Sequence, residues 1–109
     1  MKYAVELTPT AQAQAWEAFE YIHARSPVNA ERWLKGLYKA IDTLELFPAR
    51  CGIAPESRHL NAELRHLVFK SHRVIFHVDE RKKVVRILYV RHGSRRAVGE
   101  LEDGGDMRE

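Results

Sequence analysis

The sequence predicts an α+β domain in which an N-terminal strand and an antiparallel helical hairpin pack on a curved antiparallel sheet completed by three C-terminal strands. Residues 64–96 contain two runs rich in valine, isoleucine and phenylalanine, VIFHV and VVRILYV. The polar DERKK joins them, as is typical of a β-hairpin. Residues 11–46 carry apolar side chains at helical spacing, and residues 2–7 alternate polar and apolar side chains as a half-buried strand does.

The first strand is predicted over residues 2–7 and the first helix over residues 11–25. Thr8 offers a hydroxyl that caps the first turn, and Pro9 suits a position at the start of a helix. The apolar side chains of this helix are expected in the core, and they are Ala15, Trp16, Phe19, Ile22 and His23.

The second helix is predicted from about Val28 to Leu46, because Ser26 and Pro27 end the first helix and Ser26 can cap the next one. So short a link makes the two helices an antiparallel pair, whose joined apolar side needs a sheet to cover. The apolar positions at helical spacing are Ala30, Trp33, Leu34, Leu37, Ile41, Leu44 and Phe47.

Residues 48–62 contain two prolines and a glycine without periodicity, so a loop is predicted there. Strand alternation then gives the sheet one packed and one cationic face. In the middle strand it sets Val74, Phe76 and Val78 towards the core and Arg73, Ile75, His77 and Asp79 on the other face. In the last strand it sets Arg86, Leu88, Val90 and His92 against Val85, Ile87, Tyr89 and Arg91. One core is expected to contain Trp33, Leu37, Ile41, Val74, Phe76 and Ile87.

The chain has 109 residues, and we expect one domain over residues 1–98 followed by an acidic tail, 99–109, with the composition of a disordered segment. There is no apolar run of about 18 residues and no signal-peptide pattern, so a cytoplasmic protein without a membrane partner is expected. Cys51 is the sole cysteine, which excludes an internal disulfide and a thiolate zinc site.

Positive charge is concentrated between Arg65 and Arg96, where ten lysines and arginines face two acids, although the whole chain carries only +3. A basic patch of this kind attracts phosphate backbones or acidic protein segments, and the alternative is a solvated strand face. Four of the six histidines lie in the same segment, but no carboxylate or thiolate residue lies at a spacing from them that would complete a metal site. Neither a metal nor a cofactor is expected at His66, His72, His77 and His92.

The order of elements, together with LTPTAQAQ, LELFPARCGIAPES, ELRHLVFKSHRVIFHVD and VVRILYVRHGSRR, resembles the RelE/ParE superfamily of bacterial type II toxins over roughly residues 2–96. The resemblance implies a growth-inhibiting toxin of the plasmid-stabilisation type that a cognate antitoxin neutralises. RelE-like members are ribosome-dependent mRNA endonucleases, whereas ParE-like members inhibit DNA gyrase.

The resemblance also implies site residues. A nuclease needs a base, an acid and fixed cations at the phosphate. If the chain is a nuclease, the catalytic groups are Arg73, His92, Arg65 and Arg95, which are expected to converge at one end of the sheet. Removing Arg73 would then abolish cleavage and leave the fold intact. Residues expected to bind the target or the antitoxin are Arg65, Arg73, His77, Arg86, Arg91 and Arg96.

The tyrosine that the nucleases often place after the last strand is absent, and Val98 and Leu101 lie in its neighbourhood. We therefore expect a ParE-like gyrase inhibitor without catalytic activity of its own. The alternatives are a RelE-like nuclease acting on the ribosome with its mRNA, and a degenerate toxin that retains only antitoxin binding.

Overall fold

The computed structural model of the protein describes residues 2–93. The chain forms, in order, β1 (Ala4–Leu7), α1 (Pro9–His23), α2 (Pro27–Asp42), two 3₁₀ turns (Thr43–Glu45 and Pro48–Arg50), α3 (Glu56–Leu60), β2 (Arg65–Phe69), β3 (His72–Asp79) and β4 (Val84–His92). The predicted order of one strand, two long helices and three strands is confirmed. Arg95, Arg96 and the expected tail over 99–109 lie outside the described residues. Within residues 2–93, no helix has the length and apolar character needed to cross a membrane.

Both long helices begin at the residues predicted to cap them. Thr8 accepts a hydrogen bond from the backbone N–H of Ala11 at 3.1 Å. Ser26 accepts one from the backbone N–H of Asn29 at 3.4 Å. A proline follows each cap, where its missing N–H costs the helix nothing. The two helices pack against each other, and α1 also packs on β4.

The sheet has the strand order β1-β4-β3-β2. Among the three C-terminal strands, β2 is antiparallel to β3 and β3 is antiparallel to β4, as predicted. β1 lies at one edge and runs parallel to β4, with Ala4 opposite Val84 and Leu7 opposite Ile87. The sheet is therefore antiparallel in its C-terminal part and parallel at its β1 edge.

β4 contains one extra residue, Leu88, which interrupts its alternation. Phe76 pairs with Ile87, whereas the preceding Ile75 pairs with Tyr89, so Leu88 has no partner of its own in β3. An inserted residue reverses the faces of all side chains after it. The alternation predicted for β4 is therefore wrong beyond Leu88.

The residues after Leu88 lie on the faces opposite to those predicted. Val90 pairs with Val74 and joins the core. Arg91 pairs with Arg73, which places the two arginines side by side on the face away from the long helices. The faces of β3 itself are as predicted.

Two polar side chains near the start of α1 satisfy the backbone at this irregularity. The N–H of Val90 donates to Gln14 Oε1 at 2.8 Å. The hydroxyl of Thr8 donates to the carbonyl of Leu88 at 3.3 Å. Because buried backbone groups need partners, these contacts fix α1 on β4 as well as stabilising the bulge.

One core lies between the helical hairpin and the sheet. It is formed by α1, α2 and the helix-facing side chains of β3 and β4, with Phe76 fully buried at its centre. The predicted members are all present, so the prediction is confirmed for Trp33, Leu37, Ile41, Val74, Phe76 and Ile87.

A second, smaller cluster lies on the other face of the sheet. Ile75 is fully buried there against Ala54 and Leu64. The prediction that residues 48–62 form only a loop is wrong, because they contain α3, whose five residues are too few to show a period. The hydroxyl of Ser57 donates to the carbonyl of Leu64 and accepts from its N–H, which ties α3 to the start of β2.

Three residues predicted to be core are exposed. Helix α2 ends at Asp42, so its spacing does not extend to Phe47, which is 78% exposed. Trp16 lies on the outer side of α1, stacked on Phe19 with ring centroids 4.7 Å apart. His23 is exposed near the end of the same helix.

Candidate functional site

Arg73, the residue expected to contact phosphate, lies in an ion pair with Glu56. Its Nη1 donates to Glu56 Oε1 at 3.1 Å and its Nη2 donates to Oε2 at 2.6 Å. The side chain of Glu56 is fully buried and that of Arg73 is 12% exposed. A two-pronged pair of this kind occupies the guanidinium donors and neutralises their charge. Arg73 is therefore not a free cation on an open sheet.

His66 lies against the same guanidinium. Its Nδ1 is 3.1 Å from Arg73 Nη1. Because a guanidinium can only donate, Nδ1 accepts and the ring proton resides on Nε2. Burial lowers the pKa of His66, and the charge of Arg73 lowers it further against the opposite effect of Glu56. The neutral imidazole is the form that this site favours.

Glu56 remains ionised despite its burial. Burial raises the pKa of the Glu56 carboxyl, but the hydrogen bonds from Arg73, its own backbone N–H and the charges of Arg73 and Arg91 together hold that pKa below its ordinary value. Arg91 is itself buried. We call these four residues, Glu56, His66, Arg73 and Arg91, the Glu56 cluster.

Arg65 and Arg86 are also engaged. Arg65 donates to the carbonyl of Cys51 and lies 3.1 Å from Glu63. It pairs with Phe76 in the sheet and so lies on the helix side, on the opposite face from Arg73. Arg86 forms a more exposed ion pair with Glu6 at 3.4 Å. Much of the positive charge counted in the sequence is thus compensated within the fold.

The two remaining described candidates are His77 and His92. His77 pairs with Arg86 and lines a depression with Arg65 and Glu80, at the far end of the sheet from Arg73. His92 stacks edge-on against His72, with ring centroids 5.2 Å apart. His72 in turn meets Trp33 of α2 at 5.1 Å, so His92 lies on the helix side of the sheet.

The groups expected to converge at one end of the sheet do not do so. Arg73 and His92 lie at the same end but on opposite faces, and Arg65 is three residues further along the sheet, opposite Phe76. Arg95 is outside the described residues. In the part of the chain that the structure describes, no three histidine, cysteine, aspartate or glutamate side chains are placed to hold a metal ion.

Glu56 was not identified from the sequence. It follows a proline in a stretch without periodicity, and its partner is 17 residues away, so no local pattern signals the pair. The turn between the two 3₁₀ segments is likewise not signalled by any local pattern in the sequence.

In that turn Phe47 has a left-handed backbone, with φ 49° and ψ 55°. A non-glycine residue in this region carries a strain of about 1–3 kcal/mol.

Chains from solved toxin-antitoxin structures share this fold. A chain of the chromosomal ParDE toxin-antitoxin system from P. aeruginosa superposes with a TM-score of 0.68 at 15% identity, covering 84% of this chain and 96% of that one. A chain of the RelBE2 toxin-antitoxin complex from Mycobacterium tuberculosis superposes with a TM-score of 0.62 at 24% identity, covering 84% of this chain and 92% of that one. A chain of the archaeal RelE-RelB complex from Pyrococcus horikoshii superposes with a TM-score of 0.56 at 18% identity, covering 88% of this chain and 100% of that one. No curated protein matches the sequence significantly.

The fold therefore defines a RelE/ParE-like α+β domain, as the resemblance implied. The family model for the ParE toxin of the type II toxin-antitoxin system parDE matches residues 5–97. The chain belongs to this family, and it is a type II toxin.

Proposed function

We propose that the chain is a growth-inhibiting toxin that acts on DNA gyrase and has no catalytic activity of its own. The observation that carries this proposal is the buried pair between Glu56 and Arg73. The family match, to ParE toxins, is consistent with it. A gyrase inhibitor needs a binding surface, whereas a nuclease needs an assembled set of catalytic groups.

The Glu56 cluster argues against phosphate chemistry at Arg73. A phosphate could reach that guanidinium only by displacing a carboxylate, which would then be left buried without its partner. Breaking a buried pair in this way costs several kcal/mol. The Nδ1 lone pair of His66 accepts from Arg73 itself and is not free to take a proton from a substrate there, and His92 lies on the other face of the sheet.

We propose a cognate antitoxin as the regulating partner, because the solved structures with this fold come from toxin-antitoxin complexes. Its toxin-binding segment is expected to be disordered when free and to fold on the toxin. We propose that the toxin meets both partners in the cytoplasm. That this segment covers the basic sheet face stays a prediction. The ion pairs of Arg73 with Glu56 and of Arg86 with Glu6 reduce the positive charge available on that face.

Co-expression tests the antitoxin. The small protein encoded beside the toxin gene should relieve growth arrest and copurify with the toxin at a fixed ratio. An unrelated antitoxin expressed to the same level is the control. If the neighbouring protein neither rescues growth nor copurifies, it is not the partner.

Induction in cells tests the target. Wild-type toxin should induce the DNA-damage response and cause DNA breaks while translated mRNA stays intact, because trapped gyrase leaves cut DNA. Ribosome-dependent mRNA cuts without DNA damage would instead support the RelE-like alternative. Antitoxin binding without growth arrest would identify a degenerate toxin.

A further inference from the structure

The turn that carries Phe47 combines two features that disfavour phenylalanine in the isolated chain. Its side chain is 78% exposed, and its backbone lies in the left-handed region that suits glycine or asparagine. Among residues 2–93, the other non-glycine residues with positive φ are polar, namely Asn61, Lys70 and Lys83. Neither burial nor backbone preference explains an aromatic side chain at position 47.

The turn is nevertheless firmly built. Arg50 Nη1 donates to the carbonyls of Leu46 at 2.8 Å and Phe47 at 3.3 Å, and Nη2 donates to the hydroxyl of Thr43 at 2.9 Å. The next residue, Pro48, is buried and anchors the turn to the body of the domain. Phe47 is thus held outward on a preorganised turn, which lowers the entropy lost on binding.

The β3–β4 connection lies beside this turn. The N–H of Tyr3 donates to the carbonyl of Glu45 at 2.9 Å, and the Tyr3 hydroxyl donates to Glu80 at 2.7 Å. Lys83 lies over the Tyr3 ring, 5.0 Å from its centroid. This end of the domain carries six cations and four carboxylates, namely Lys2, Arg50, Arg65, Arg81, Lys82 and Lys83 with Glu45, Glu63, Asp79 and Glu80.

The chemistry of this surface indicates its partner. Phe47 is the most exposed of the apolar side chains here, beside Leu46 at 45%. A projecting aromatic ring gains affinity by entering a preformed apolar pocket, which a folded protein offers and a flexible segment does not. The surplus of cations favours carboxylates around that pocket. The four carboxylates at this end of the domain disfavour a phosphate backbone, so a protein suits the surface better than a nucleic acid.

We infer that Phe47 inserts into an apolar pocket rimmed by carboxylates on the folded protein that the toxin inhibits. The turn is then a point of target contact separate from the Glu56 cluster and from antitoxin binding. This inference rests on the proposed function for the identity of the target as DNA gyrase.

The test compares Phe47→Gly with wild type in a supercoiling assay with purified DNA gyrase, relaxed plasmid and ATP. Glycine accepts the left-handed backbone, so the melting temperature should equal that of wild type or exceed it by a few °C. The toxin concentration for half-inhibition should rise at least about tenfold, as expected for loss of an anchoring aromatic side chain. Affinity for the antitoxin should not change.

Two variants serve as matched controls. Asn61→Gly makes the same backbone change at another left-handed position, and Val68→Ser removes another exposed apolar side chain. Both should inhibit gyrase as wild type does. Phe47→Gly inhibition equal to wild type would overturn the inference. A loss of antitoxin binding, or of binding to a DNA fragment alone, would overturn it by assigning the turn to another partner.

A wild-type protein without effect on gyrase would instead refute the proposed function. The inference about the turn is then tested by measuring growth arrest in cells that produce the toxin. Phe47→Gly produced at the wild-type level should no longer arrest growth, and arrest as strong as that of wild type would contradict a target contact at Phe47.

Discussion

Arg73→Ala should lower the free energy of unfolding by about 3–5 kcal/mol, because it leaves the Glu56 carboxylate fully buried without its partner. Unfolding in urea with linear extrapolation measures this loss. The sequence predicts that, if the chain is a nuclease, this variant removes a phosphate contact and leaves the fold intact. The ion pair makes its main effect structural, so lost activity in Arg73→Ala would not by itself identify a catalytic arginine.

Two further variants control this experiment. Arg86→Ala removes an arginine whose pair with Glu6 is largely exposed, and it should cost about 1 kcal/mol or less. The double variant Arg73→Leu with Glu56→Leu replaces the buried pair with apolar side chains and should recover most of the lost stability. If Arg73→Ala were as stable as Arg86→Ala, the ion pair between Glu56 of α3 and Arg73 of β3 would not stabilise the fold.

The same pair predicts a dependence of stability on pH. The pKa of Glu56 in the folded protein lies below its ordinary value of 4.5, so the folded state binds the proton less readily than the unfolded state. The stabilisation is therefore complete above 4.5 and is lost as the pH falls through the lowered pKa. On acidification the wild type should lose more stability than the double leucine variant.

Phe76→Ala should lower the free energy of unfolding by about 3–5 kcal/mol, because it opens a cavity in the core. A domain of this size has little more stability than that to lose, so much of the protein should be unfolded. Circular dichroism and urea unfolding report the change. Val68→Ala, at an exposed position on β2, should stay within about 0.5 kcal/mol of wild type. Equal effects of the two variants would contradict the packing described.

The sequence was sufficient for the elements whose signals are local. The caps at Thr8 and Ser26, the helical spacing through α2 and the alternation in β3 each depend on neighbours within a few residues. The features it did not reveal depend on distant contacts. The backbone at Leu88 and Val90 bonds to Thr8 and Gln14, which lie 80 and 76 residues earlier in the chain.

The candidate site was predicted less well for the same reason. A count of charges along the chain identifies a basic segment, but it does not show that Arg73 meets Glu56 or that Arg86 meets Glu6. Phe47 continues the apolar spacing of α2 in the sequence, and that spacing predicts a core position for it. The helix ends before it, which only the structure shows.

The most direct test of a gyrase-directed toxin uses purified gyrase, with cleavage of ribosome-bound mRNA measured in parallel on the same protein preparation. Wild-type toxin should slow supercoiling in proportion to its concentration, lose this effect when the antitoxin is added and leave the mRNA whole. Codon-specific cuts in the mRNA that disappear in His92→Ala, with supercoiling unaffected, would contradict the assignment and show that the protein is a nuclease.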